Sequence, residues 1–180
     1  MARNNCYNER MRSMAKQAAL PLSAAIFIIC GCSCGGGEKR ETFDRSKEAA
    51  AVEETLNNIF GWAVEKDFDL FFKSIADDST FISVTPYDRV KFGVGDVKSD
   101  TSFWGSPNFK AISHEIRDLR LRFSGCGDVA WFYCVVNDFN EWKGMPANWE
   151  NVRWTGVLEK RNGAWVVVQQ HFSYPKQINQ

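Results

Sequence analysis

Neither sign of charge dominates this chain: Lys plus Arg and Asp plus Glu both number 22, for a formal net charge of +0. A field of one sign is what draws a protein onto nucleic acid or acidic lipid, so no nucleic-acid partner is expected. Histidine is scarce, with two residues, and no C-x-x-C pair or Cys/His cluster occurs, so no metal site is expected. The chain has no Gly-rich phosphate loop and no nucleophile elbow, and no cofactor is expected. The apolar run Ala18 to Cys30 is too short to span a bilayer comfortably and contains Pro21, which argues against a transmembrane helix.

That short run has another reading. Arg3, Arg10, Arg12 and Lys16 form a basic stretch before it, and Ile29-Cys30-Gly31-Cys32 closes it. The closing segment resembles the bacterial lipobox, with Cys30 in place of the usual Ala or Ser. A thiol there takes a diacylglyceryl group, and small neighbours let a peptidase reach the backbone. The expectation is a lipoprotein signal peptide over residues 1–31, with Met1, Met11 or Met14 as the start, and lipidation at Cys32. Each buried lipid methylene contributes roughly 0.8 kcal/mol, so such an anchor is nearly permanent. The protein would then sit in the cell envelope, periplasmic or at the cell surface. Its only membrane contact would be the lipid. Residues 32–45, with Gly35-Gly36-Gly37 and then charged residues, read as a flexible tether. One α+β domain over 46–175 and a short tail over 176–180 complete the chain.

The domain opens with a helix capped by Asp44 or Ser46, whose apolar face is Val52, Leu56, Ile59, Phe60 and Ala63. Asp67 caps a second helix over 68–76. Residues 79–84 are rich in strand formers and stop at Thr85-Pro86-Tyr87-Asp88. Residues 89–111 carry two signals: Val90, Phe92 and Val94 alternate like a strand, while Val97, Thr101 and Trp104 have helical spacing. Four long strands follow, at 112–124, 129–142, 149–161 and 164–174, in an antiparallel meander. Asn162-Gly163 between the last two suits a type I′ turn, since both residues tolerate positive φ.

Two features of these strands go further. Apolar parity switches from Ile112 and Ile116 to Leu119, Leu121 and Phe123, which places a β-bulge near Arg117-Asp118 and bends the sheet. Residues 129–139 are apolar on both parities, so helices cover one face and a second copy of the chain is expected on the outer one, as a homodimer. Cys126 and Cys134 would be separated by about 26 Å of strand, too far for a disulfide.

Helices followed by a bent antiparallel sheet resemble the nuclear transport factor 2-like cone, also called cystatin-like. The segment Arg153-Trp-Thr-Gly-Val-Leu-Glu-Lys-Arg-Asn-Gly-Ala-Trp165, with His171-Phe-Ser173 after it, is similar to the closing hairpin of SnoaL-like domains. It is nearest the subgroup related to the calcium/calmodulin-dependent protein kinase II association domain. Residues 52–81 resemble that family's opening and Gly127-Asp-Val-Ala-Trp131 its middle strand. The resemblance implies a cone with a pocket, but not an activity, because this superfamily holds isomerases, cyclases, dehydratases, binders and oligomerisation modules. The association domain's pocket arginines correspond to Gly156 and Phe172 here, so the implied pocket is more apolar or filled.

Candidate chemistry is sparse. His171 could be a general base in the cone or tie the last strand to a loop; His114, beside Glu115, reads as solvated or interfacial. A steroid-isomerase-like mechanism would draw on Asp88, Asp138, Glu141 and Tyr133. Asp88 reads as a turn residue. Asp138 and Glu141 read as strand-end residues in water, with Asp138 the aspartate a cyclase would need inside the cone. Trp62, Tyr87, Trp104, Trp131, Trp154 and Phe172 are candidates to line an apolar ligand cleft, and each could equally be core. The segment 141–149, with Trp142 and Trp149, reads as an extended loop forming a binding rim or subunit contact. The favoured expectation is binding of a small, largely apolar ligand or an envelope partner without catalysis. The alternatives are an isomerase, dehydratase or cyclase, and a purely structural module. A buried Asp or His with a shifted pKa at the cavity floor marks an enzyme; an open cavity without one marks a binder; a cone filled by rings marks a scaffold.

Overall fold

The computed structural model describes residues 43–176; the expected signal, Cys32 and most of the tether lie outside the described residues. Helix α1 (Arg45–Glu65) starts where the Asp44 carboxylate accepts from the Ser46 and Lys47 backbone amides at 3.0 and 3.1 Å. Its expected apolar face is buried, joined by Thr55 and Trp62. Lys66, in the left-handed region at φ 56°, ends it. Helix α2 (Phe68–Ser74) is capped by Asp67, whose carboxylate accepts from the Leu70 amide at 3.0 Å. It stops short of the expected Ala76 because Ile75 turns extended and bridges Val167 of the sheet.

The remaining elements are β1 (Ile82–Val84), β2 (Val90–Phe92), α3 (Gly93–Lys98), α4 (Thr101–Trp104), β3 (Phe109–Phe123), β4 (Val129–Trp142), β5 (Met145–Pro146), β6 (Trp149–Arg161) and β7 (Ala164–Ser173). Both signals in 89–111 are real but sequential: three residues of strand give way to two short helices at Gly93. The sheet order is β2-β1-β7-β6-β4-β3, with β5 on β4. All pairings are antiparallel except β1 with β7, a departure from the expected meander. The long chain between these two strands supplies the connection that a parallel pair requires.

The sheet curls into a half-barrel against the helices, an α+β cone. Its bends are where parity placed one and in three further places. Register slips between Arg117 and Arg120, with Asp118 at φ 55°, and again at Ala111/Ser113, Val136/Asp138 and Val157/Leu158. The Asn162-Gly163 turn has both φ values positive, 52° and 85°. Residues 143–144 form a second tight turn of the same kind, at φ 53° and 78°, so the expected loop at 141–149 is a small hairpin, with Trp142 opposite Met145.

Inward residues of β4, Ala130, Phe132, Cys134 and Val136, are buried against α1 and the other strands. Gly156 makes room for them: a Cβ there would lie 2.6 Å from the Gln169 carbonyl and 2.7 Å from Phe132 Cε1. Cys134 is a free, fully buried thiol, so it does not pair with Cys126. Glu48 ties α1 to the last hairpin: Lys160 Nζ and Trp165 Nε1 both donate to its carboxylate, at 2.6 and 2.7 Å. No helix among the described residues is long and apolar enough to cross a membrane.

Candidate functional site

The core does not fill the cone. A cavity of about 670 Å³ lies between α1, α2 and one end of the sheet. Its volume suits a ligand of drug size. The cavity survives because its wall rings pack on one another rather than across it. Trp62 rests against Phe68, Phe71 and Trp104 with centroids at 5.0, 5.0 and 5.5 Å. Trp149 meets Phe172 edge-on at 5.2 Å, and Trp142 stacks on Phe103 at 4.6 Å. Tyr87 stands at the rim, 62% exposed, its hydroxyl 3.5 Å from that of Tyr174.

Three polar groups interrupt these apolar walls. The first is on β4, where Asp138, Asn140 and Trp142 keep the inward parity past the Val136/Asp138 slip. Asn140 Nδ2 donates to Asp138 Oδ2 at 2.8 Å. Burial pushes the Asp138 carboxyl up to about 6, against the opposing pull of the Asn140 amide. The Asn140 amide oxygen is buried with no hydrogen-bond partner. In the second group, Gln170 Nε2 of β7 donates to Ser83 Oγ of β1 at 3.1 Å, which leaves the Gln170 Oε1 buried and unpartnered. The third is an ion pair, Lys91 with Asp100, whose ammonium also lies 5.7 Å over the Trp104 ring. Arg89 adds a second, more exposed cation 3.7 Å from Asp100. Among the described residues no cluster of His, Cys, Asp and Glu could hold a metal.

The candidates from sequence are divided by strand parity. Trp62, Tyr87, Trp104, Phe172 and Asp138 all border the cavity. Asp138 is therefore not the solvated strand-end residue expected of it. Trp131 faces the other side of the sheet and is 48% exposed, because it alternates with the buried Ala130 and Phe132. Trp154 is fully buried beneath the cavity, stacked on Phe172 at 5.4 Å and edge-on to Phe60 and Phe132. His171 faces outward on β7, Tyr133 outward on β4, and Asp88 lies exposed in the turn after β1. His114 is half-buried rather than solvated. Its ring stacks on Phe60 at 5.8 Å and its Nε2 is 3.2 Å from Asn57 Oδ1, and burial lowers its pKa. Asn140, Gln170, Lys91 and Asp100 were not anticipated. Parity counted from Phe172 and Asp138 reaches the first two; nothing in residues 89–111 marked the others.

The profile of the family described as "SnoaL-like domain" matches residues 52–177. The chain belongs to that family. Solved structures agree on the fold of this SnoaL-like domain. A candidate dehydratase of the NTF2-like family from Streptomyces avermitilis superposes with a TM-score of 0.64 at 17% identity, covering 74% of this chain and 100% of that one. A candidate calcium/calmodulin-dependent kinase II association domain from Exiguobacterium sibiricum gives 0.60 at 9% identity, over 76% and 99%. A candidate scytalone dehydratase from Novosphingobium aromaticivorans gives 0.58 at 11%, over 71% and 83%. No curated protein sequence matches the chain. These identities carry the fold and not a substrate. Within the SnoaL-like domain, Gly156 has no space for a larger side chain and Phe172 presents a ring, so neither position offers a charge to the cavity.

Proposed function

We propose that the cone binds a small, largely apolar molecule and moves a proton on it through Asp138, chemistry of the isomerase or dehydratase type. The observation that carries this reading is a carboxyl with its pKa at about 6 on the wall of an aromatic cavity of about 670 Å³. Near neutral pH such a group exists in both forms, which is the condition for efficient general acid–base catalysis. In an isomerisation the carboxylate takes a proton from one substrate atom, and the acid so formed returns it to another. In a dehydration the carboxylate takes the proton from carbon as the C=C bond forms, and the acid so made delivers it to the departing hydroxyl, which leaves as water. This reading goes beyond binding without catalysis, and the titratable carboxyl on the cavity wall supports it.

The test uses β-tetralone, a bicyclic ketone with exchangeable protons beside its carbonyl. Its proton–deuterium exchange, followed by NMR, is expected to be accelerated by the protein, to rise through about pH 6, and to fall by about a hundredfold or more in Asp138→Asn. Equal exchange with wild type, variant and buffer overturns the catalytic reading.

The setting of the domain rests on other residues. A second copy is proposed to cover the outer sheet face. Trp131 and Tyr133, 48% and 39% exposed, support this. Sedimentation as a monomer at high micromolar concentration overturns it. Anchoring in the cell envelope through Cys32 is proposed from Ile29-Cys30-Gly31-Cys32, and Cys32→Ser is expected to abolish lipid labelling and membrane retention.

A further inference from the structure

Two buried acceptors on the cavity wall have nothing to accept. Asn140 and Gln170 are each 6% exposed, and each donates one amide N–H to a neighbour: Asn140 to Asp138, Gln170 to Ser83. Both amide oxygens remain without a partner. A buried carbonyl left unpaired loses the hydrogen bonds it would make in water, and native proteins hold few such groups. Here two border one cavity, on β4 and β7, with β6 between them in the sheet. Asp138 adds a third acceptor beside Asn140 when ionised.

Resting on the reading of this cavity as a ligand site, we infer that its occupant is a hydroxylated or N–H-bearing ring system. It carries at least two hydrogen-bond donors on an otherwise apolar frame, one for Asn140 Oδ1 and one for Gln170 Oε1. Asn140 and Gln170 are then specificity-determining residues. A molecule offering only acceptors binds more weakly, since it leaves both oxygens unpaired, and a carboxylate also sets its charge against an ionised Asp138. Discrimination by buried polar groups of this kind is steep, because the wrong ligand both forgoes a bond and strands its partner.

Three probes of one shape test this: a naphthalenediol, its difluoro analogue and the corresponding dicarboxylate. Binding to the full chain is read from quenching of tryptophan fluorescence, Trp62, Trp104, Trp142 and Trp149 all bordering the cavity. The diol is expected to bind at least about tenfold more tightly than the difluoro compound, with the dicarboxylate weakest. Gln170→Met, close to isosteric, should weaken the diol and so narrow the gap between diol and difluoro analogue about tenfold. Should the difluoro compound or the dicarboxylate bind as well as the diol, donor recognition is overturned while the cavity remains a ligand site. Should no probe bind, the cavity reading fails and takes this inference with it.

Discussion

Replacing Asp138 with asparagine should make the protein more stable above neutral pH while removing its proton chemistry. Asparagine keeps the shape and cannot ionise. In the folded protein the carboxyl rises from an ordinary 3.8 to about 6, and burial is the main cause. At about 1.36 kcal/mol for each tenfold change in proton affinity, that rise corresponds to about 3 kcal/mol. The sign follows from which state holds the proton. Between about pH 4 and pH 6 the folded chain keeps it while the unfolded chain has released it, so stability falls as pH rises through that window and levels off above it. The variant has no such loss. Its advantage over wild type should be near zero below about pH 4 and grow towards about 3 kcal/mol by about pH 7. The groups around Asp138 do not reverse this. Burial of His114, directly across on β3, disfavours its charged form, Lys91 is paired with Asp100, and Arg89 is the more exposed side chain at the mouth. Urea unfolding followed by tryptophan fluorescence, repeated across that pH range, measures the difference directly. A difference that stays constant with pH, or a wild type more stable than the variant at high pH, refutes the assignment of Asp138 as a buried titrating acid.

Other substitutions test the frame around the cavity. Gly61 lies inside α1, and a Cβ there would meet only His114 Cε1 at 3.5 Å, so Gly61→Ala should raise stability by about 0.5–1 kcal/mol in urea unfolding. Gly156→Ala should do the opposite. Its Cβ has no room beside the Gln169 carbonyl and the Phe132 ring, and a loss of roughly 1–3 kcal/mol with a lowered Tm is expected. Asp44→Ala removes the acceptor for two amides at the start of α1 and should cost about 1 kcal/mol. Burial pushes the Cys134 thiol up to about 12, so a thiol reagent analysed by mass spectrometry should modify that residue only after denaturation.

The fold was legible where a pattern repeats over a long stretch. The face of α1 read directly from apolar periodicity, and the limits of β4 and β6 from the long apolar runs between turn segments. The bulge beside Asp118 read from a change of parity, because a strand has only two faces and a slip of one residue exchanges them. Elements of three to six residues were harder. Each of β2, α3 and α4 is too short to establish a period, and packing against neighbours decides their conformation. The site was partly legible for the same reason. Trp62, Trp104 and Phe172 were named as aromatics, but Trp131 and Trp154 share that chemistry, and only the three-dimensional curl separates wall from core and from outer face. Asp138 looked solvated because it sits near the end of a strand. The hairpin through β5 and the ring of Trp142 enclose that end, and short hairpins of this kind leave little trace in composition.

The manner in which the chain enters the domain has a spatial consequence. Phe43, the first described residue, lies against Phe123 with centroids 5.3 Å apart, and its ring fills the space beside Gly127, whose φ is 75°. That contact pins the start of the domain to the turn joining β3 and β4. Asp138, Trp142 and Phe109 border the cavity toward the opposite end of the same two strands. Phe43 thus packs at the end of β3 and β4 that is remote from the cavity residues. A change at Phe43 would therefore disturb the β3–β4 turn and leave the cavity wall in place.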